Sequence, residues 1–241
     1  MVWGLRTLQF CHGISRLQKM VDDDQHTASF IMQSLVSSVP FAIPESVKDL
    51  PDLASYAPKY IKKLESMELL PDASVLSVDA LEKHSAINRT EKKLLLFGIA
   101  LESHDSLSDV IGFCFRTVTP NRFYRVLSHV LDESLESVQD ALRANSFLTK
   151  AGLVMLCPDS YFVNSLDVGA GVLDSFELAS GDWDKIVSLC CAEARSSELS
   201  EGDFSHISTE WNLVQKYLQG CAQDGRAGVN VLLYGPPGCG K

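Results

Sequence analysis

Residues 229–241 carry the pattern best able to do chemistry. An apolar run, Val229-Asn230-Val231-Leu232-Leu233-Tyr234, leads into Gly235-Pro236-Pro237-Gly238-Cys239-Gly240-Lys241. The second part has the Gly-x-x-x-x-Gly-Lys spacing of a phosphate-binding P-loop (Walker A). Gly235, Gly238 and Gly240 permit turns closed to residues with a Cβ. Successive N–H groups can then point inward as an anion nest. Lys241 would reach the β and γ phosphates, and a helix opening there would aim its positive end at them. Val231 to Tyr234 reads as a buried central strand of a parallel sheet, which is continuously apolar. The expected ligand is ATP, held by Gly235, Pro236, Pro237, Gly238, Cys239, Gly240 and Lys241. A chance Gly-rich segment is the competing reading, and the strand-like run before the loop argues against it.

Other parts of a nucleotide-hydrolysing site are missing. No Ser or Thr follows Lys241 to coordinate Mg²⁺, and no acid pair, sensor Asn or arginine finger comes after it. Without Mg²⁺ ligation and a positioned water, hydrolysis of the γ-phosphate gains little acceleration. The expectation is therefore an N-terminal fragment of a longer protein that binds ATP, with Mg²⁺ joining only through downstream residues. No catalytic residue and no metal site is assigned. Val75-Leu76-Ser77-Val78-Asp79 faintly resembles a strand ending in a metal-binding acid, but it precedes the loop and lacks a second acid, so it reads as structural. Isolated from neighbouring strands, 229–241 is expected to pack poorly.

The rest of the chain must supply a scaffold. Its 241 residues, 46% hydrophobic and 22% charged, suffice for one or two folded domains. The longest apolar stretch, Leu94 to Leu101, has about eight residues where a membrane span needs about twenty. A net charge of −10, from 21 Lys+Arg against 31 Asp+Glu, argues against a main role in holding nucleic acid. The seven cysteines form no C-x-x-C pair and follow no secretory signal, which fits free thiols in a reducing cytoplasm. Arg6, Arg16 and Lys19, before the first acid at Asp22, give only a thin likeness to a transit peptide.

Helical periodicity dominates. Phe30, Ile31, Leu35 and Val36 suggest a short helix, and Tyr60, Ile61, Leu64, Met67 and Leu70 share a face closed by Pro71. The proline-rich stretch 39–58 reads as irregular connection around short helical turns. Asn88 and Glu91 form a capping-box signature ahead of a helix over 92–102. Ser106 with Asp109 starts another. Thr119-Pro120 opens a third, burying Phe123, Val126, Leu127, Val130 and Leu131. One more helix runs from Ser134 to Gly152, with Leu135, Val138, Ala141, Leu142 and Asn145 on one face. Leu153–Leu156 and Tyr161–Val163, around Pro158-Asp159-Ser160, predict a β-hairpin. Gly169-Ala170-Gly171 marks a linker. A helix over 182–194 should turn Ile186, Val187, Leu189 and Cys190 inward. A last helix over 208–222 carries Trp211, Val214, Tyr217, Leu218 and Cys221, and breaks at Gly225 and Gly228.

Helices followed by a hairpin over 89–168 look like a winged-helix domain. Asp132, Glu133, Glu136 and Asp140, against Arg143 and Lys150, make its final helix a poor match for a phosphate backbone, so protein docking is favoured over DNA binding. The Gly-Pro-Pro-Gly-Cys-Gly-Lys phrase and the strand before it resemble the opening of an AAA+ ATPase module. The likeness is greatest to bacterial AAA-type proteins with a helical, winged-helix-like region ahead of one module. The fold class expected is mainly α with a small β-hairpin wing, followed by the first strand and P-loop of an α/β P-loop NTPase module. The expected organisation is a helical region over 1–88, a winged-helix-like domain over 89–168, a helical linker over 169–202 and the start of the ATPase module over 203–241. The resemblance implies ATP-driven remodelling of a protein partner, a homo-oligomer for the full-length protein, no membrane and little role for nucleic acid. It also places Ile207 or Phe204 near an adenine. Cys239 departs from the Thr common there. The alternative is a winged-helix adaptor with an inert P-loop.

Overall fold

The computed structural model describes residues 1–11, 14–67, 71–115, 119–157, 161–190, 200–226, 228–232 and 234. Contacts divide the chain into two units, Met1–Ala192 and Glu193–Lys241. The first is mainly helical with one small antiparallel sheet.

Helix α1 (Val2–Phe10) places Leu5 and Leu8 in the core and packs against helices that come much later in the chain. Helices α2 (Ile14–Asp23) and α3 (Gln25–Ser37) follow, the second started by Asp24, whose carboxylate accepts from the Thr27 N–H at 3.1 Å. Helix α4 (Leu50–Glu65) corrects the expectation of irregular chain over 39–58, because it runs through both Pro51 and Pro58. Pro51 sits in the first turn, where its missing N–H has no intrahelical partner anyway. Pro58 is exposed, while Leu53, Ala57, Tyr60, Ile61 and Leu64 bury the opposite face. Burial of that face outweighs one lost backbone hydrogen bond.

Helix α5 (Ala73–His84) contains Val75–Asp79, which is therefore no strand. Its Asp79 is paired with Lys92 at 2.7 Å. Helix α6 (Arg89–Ser103) begins with the expected capping box: the Glu91 N–H donates to Asn88 Oδ1 at 3.0 Å, and the Asn88 N–H to Glu91 Oε2 at 2.9 Å. Helix α7 (Asp105–Cys114) buries Val110, Ile111 and Cys114. Helix α8 (Pro120–Leu131) buries the five apolar residues expected of it and packs on α1. It ends with Asp132 at φ +55°, and Glu133 N–H reaches Ser128 O at 3.0 Å. That is the left-handed cap usually given to Gly.

Two expectations over 134–168 are corrected. The single helix from Ser134 to Gly152 is two pieces, α9 (Leu135–Ala141) and α10 (Phe147–Lys150). The break has a side-chain cause. Glu91 Oε1 accepts from the Phe147 N–H at 2.9 Å and Ser146 Oγ from the Thr149 N–H at 3.3 Å. These N–H groups are thus committed to side chains, and a new helix starts. Gly152, at φ +66°, closes it. The return strand is not Tyr161–Val163. Strand β1 (Val154–Leu156) pairs antiparallel with β2 (Leu166–Val168), Val154 opposite Val168 and Leu156 opposite Leu166. Phe162 is drawn into the core between Phe115 and Phe123, with ring centroids 5.6 and 5.0 Å away. That anchor makes Phe162–Asn164 a 3-10 turn and delays the strand.

The sheet crosses α6 at Gly98, where a Cβ would lie 2.8 Å from Val168 Cγ2. After Gly169, helix α11 (Val172–Ala179) occupies part of what reads in the sequence as linker. Ser77, fully buried on α5, donates to Phe176 O at 2.7 Å and accepts from the Gly181 N–H at 2.9 Å. One hydroxyl thereby ties off the C-terminus of α11. Helix α12 (Trp183–Cys190) stacks Trp183 on His84, centroids 4.6 Å apart. Of its four residues expected inward, only Ile186 is buried; Val187 and Leu189 are 40% and 43% exposed, and Cys190 is exposed. Positions 191–194 of that expected helix lie outside the described residues.

In the second unit, helix α13 (Ser208–Gln223) ends as a Schellman motif. Gly225 is left-handed at φ +64°, Arg226 N–H donates to Cys221 O at 2.9 Å, and Gly225 N–H donates to Ala222 O at 3.3 Å. The expected break at Gly225 is therefore a built C-cap.

Candidate functional site

The approach to the expected phosphate loop starts at that cap. Gly228, at φ +76°, turns the chain a second time. Val229–Leu232 and Tyr234 then adopt no regular structure, in keeping with the poor packing expected of this stretch without neighbouring strands. Leu232 and Tyr234 are 84% and 89% exposed. A strand needs hydrogen-bonding neighbours, and no other strand is present among the described residues of this unit. Leu233 and all of the expected ATP contacts, Gly235, Pro236, Pro237, Gly238, Cys239, Gly240 and Lys241, lie outside the described residues.

The residues expected near an adenine belong to a 3-10 turn, Glu201–Ile207. Phe204 is half-buried and Ile207 exposed. Asp203 fastens this turn, its Oδ2 accepting from the Ser200 N–H at 2.6 Å and from Ser200 Oγ at 2.8 Å. Those two bonds hold its carboxyl below the usual range. The turn therefore presents an exposed Ile207 just before α13, on a segment pinned by its own cap.

On the first unit, the acids that make the hairpin end of the domain unlike a DNA-binding surface are mostly engaged. Arg6 Nη2 lies 2.7 Å from Glu65 and 3.3 Å from Asp132. Asp140 pairs with Arg143 at 2.8 Å. Glu133, its side chain 15% exposed, lies 2.6 Å from Lys93 Nζ and 3.4 Å from Arg89 Nε. Lys93 also donates to Leu131 O at 2.9 Å, so one ammonium serves the end of α8 and the carboxylate beyond it.

Lys93, by hydrogen bond and charge, holds the Glu133 carboxyl below its ordinary value of 4.5, against the opposing effect of burial. A depressed acid stabilises the fold above its unfolded pKa, and the contribution is lost as pH falls through the folded pKa. Glu133→Gln should therefore be about 1–3 kcal/mol less stable than the parent at pH 7. Below pH 4.5 the gap should narrow, as read by urea unfolding across pH. A gap that stayed constant into acid would assign the loss to packing instead of charge.

The free thiols of Cys11 and Cys114 are both buried. Their mutual hydrogen bond, reinforced by burial, raises the Cys114 thiol well above its usual range. The same bond, helped by the charges of Arg16 and Arg122 and opposed by burial, lowers the Cys11 thiol. Among the described residues no group of three or more His, Cys, Asp or Glu is placed to hold a metal ion, and no helix is long and apolar enough to cross a membrane.

In comparisons with known proteins, no family model matches this chain, and neither does any curated protein or solved structure.

Proposed function

We propose that the chain is the N-terminal part of an AAA-type ATPase, whose Gly235–Lys241 loop binds ATP. On this reading the winged-helix-like region over 89–168 docks a protein partner, and the complete protein works as a cytoplasmic homo-oligomer. The observation that carries the reading is the spacing of Gly235, Gly238, Gly240 and Lys241 directly after an apolar strand-length run. Those residue types suit a polyphosphate: backbone N–H groups form the cradle and the Lys241 ammonium neutralises the outer phosphates. Within residues 235–241 no side-chain oxygen is present to ligate Mg²⁺, so no hydrolytic step is assigned to them. Support for the docking region comes from the order of its parts, helices α8, α9 and α10 and then an antiparallel β-ribbon. Its acids are held by Arg6, Lys93 and Arg143, which leaves little positive surface on α9 and α10 for a nucleic acid backbone.

The test is ATP binding by the native protein purified from its source, whose intact mass is read first. A mass above 26.5 kDa is expected. Lys241→Ala should weaken ATP binding by about tenfold or more, since a charge-assisted phosphate contact is lost. The melting curve should not move. Equal ATP affinity in parent and variant would overturn the proposal. Retention of a protein partner without any ATP binding would favour the adaptor reading.

A further inference from the structure

On a chain of net charge −10, positive charge converges at one place in the Met1–Ala192 unit. Arg16 from α2 and Arg122 and Arg125 from α8 line a cavity of about 520 Å³ together with Phe10, Thr119 and Asn121. No acid lines it. A larger adjoining cavity of about 910 Å³ shares Arg16 and Arg122, and its other wall carries Asp23, Asp24 and Asp109. Among the described residues, none of the three guanidinium groups lies within 4.0 Å of a carboxylate. Arg125 also lines a further cavity with Glu65, Asp132 and Glu133, acids that are engaged by Arg6 and Lys93.

The placement is specific. Arg122 lies over the Phe115 ring, 5.8 Å from its centroid, and Phe115 in turn contacts Phe10 at 5.9 Å. Aromatic packing thus directs the guanidinium. The cavity also lies at the start of α8, where Thr119 supplies no side-chain cap to the first-turn N–H groups. Three like charges repel one another within a Debye length of about 8 Å at physiological salt. An anion between them removes that repulsion. Guanidinium forks match a phosphate two bonds at a time, and a helix N-terminus adds N–H donors and positive dipole. The volume is that of a small-molecule site and not of a duplex groove.

We propose that this cavity binds a small phosphorylated molecule, with the phosphate held by Arg16, Arg122 and Arg125 at the start of α8. The site shares no lining residue with Gly235–Lys241 and does not depend on the ATP reading. The source of the phosphate is either a free inorganic anion or an organic ester whose carbon skeleton lies along Phe10.

The experiment is calorimetric titration of the full chain carrying Lys241→Ala, which removes the loop's contribution, with pyrophosphate and with phenyl phosphate. Saturable 1:1 binding with a Kd below about 1 mM at low salt is expected, weakened about tenfold or more by Arg125→Gln and by Arg16→Gln. Arg125 is exposed, so its loss should leave melting unchanged and keep the test clear of folding defects. Tighter binding of phenyl phosphate identifies an ester as the ligand; tighter pyrophosphate identifies the free anion. No saturation by about 10 mM of either probe would overturn the proposal. So would wild-type affinity in both arginine variants, or a DNA duplex held through the same arginines that neither probe displaces.

Discussion

Glu91→Ala is expected to destabilise the Met1–Ala192 unit by about 3–5 kcal/mol, the largest effect of any single side-chain truncation we foresee. Glu91 is 4% exposed. One oxygen accepts from the Asn88 N–H and the other from the Phe147 N–H, both at 2.9 Å. Truncation leaves both part-buried donors without their partner, at about 1–3 kcal/mol each, and leaves a void. For a domain whose whole stability is about 5–15 kcal/mol, that is a large share. Melting followed by far-UV circular dichroism should fall by roughly 6–20 °C. Exposed Glu136→Ala on α9 should stay within about 0.5 kcal/mol of the parent. Similar small shifts for both variants would show that the shared cap is not a stabilising element.

Gly169→Ala should cost about 3 kcal/mol although it adds only a methyl group. The added Cβ would stand 2.1 Å from the carbonyl oxygen of Gly152. Backbone, unlike the end of a long side chain, has no rotamer with which to yield. Gly169 also donates to Leu153 O at 3.0 Å and accepts from the Val172 N–H at 3.0 Å, closing the β-ribbon and starting α11. Moving it disturbs both. The comparison is Gly112→Ala on α7, where a Cβ meets nothing within 4 Å and helix propensity should make the change neutral or stabilising by up to about 1 kcal/mol. Equal melting temperatures for the two variants would refute this account of Gly169.

What could be read in advance was local chemistry. The Asn88–Glu91 box, the Thr119-Pro120 start and the Gly152 and Gly225 stops each depend on residues within a turn or two of one another, and all four stand where expected. What could not be read was set by distant partners. The break before Phe147 depends on Glu91, 56 residues earlier. The 3-10 turn at Phe162 follows from aromatic rings on two earlier segments, so Tyr161-Phe162-Val163 looked like a strand only while those rings were out of view. Strand β2 is three residues with an Asp at its centre, too short and too polar for alternation to mark it. The arginine cavity was hidden for the same reason: Arg16 and Arg122, far apart in sequence, line one cavity only in the folded unit. The glycine-rich loop is the reverse case. Its signal is backbone spacing, legible with no tertiary context at all, and the strand expected to lead into it needs neighbours that the described residues of its unit do not provide.

The hydroxyl of Ser77 has a consequence for synthesis. Its partners, Phe176 O and the Gly181 N–H, lie 99 and 104 residues further along the chain. At ribosomal speeds of about 5–20 residues per second, α5 leaves the exit tunnel roughly 5–20 seconds before α11 can cover it. For that interval Ser77 and Val78, fully buried in the finished unit, face water or whatever else binds a nascent amphipathic helix. The acceptance of α11 onto α5 is therefore among the last events of assembly. A ribosome pausing between the two helices would lengthen the exposure of that face in direct proportion.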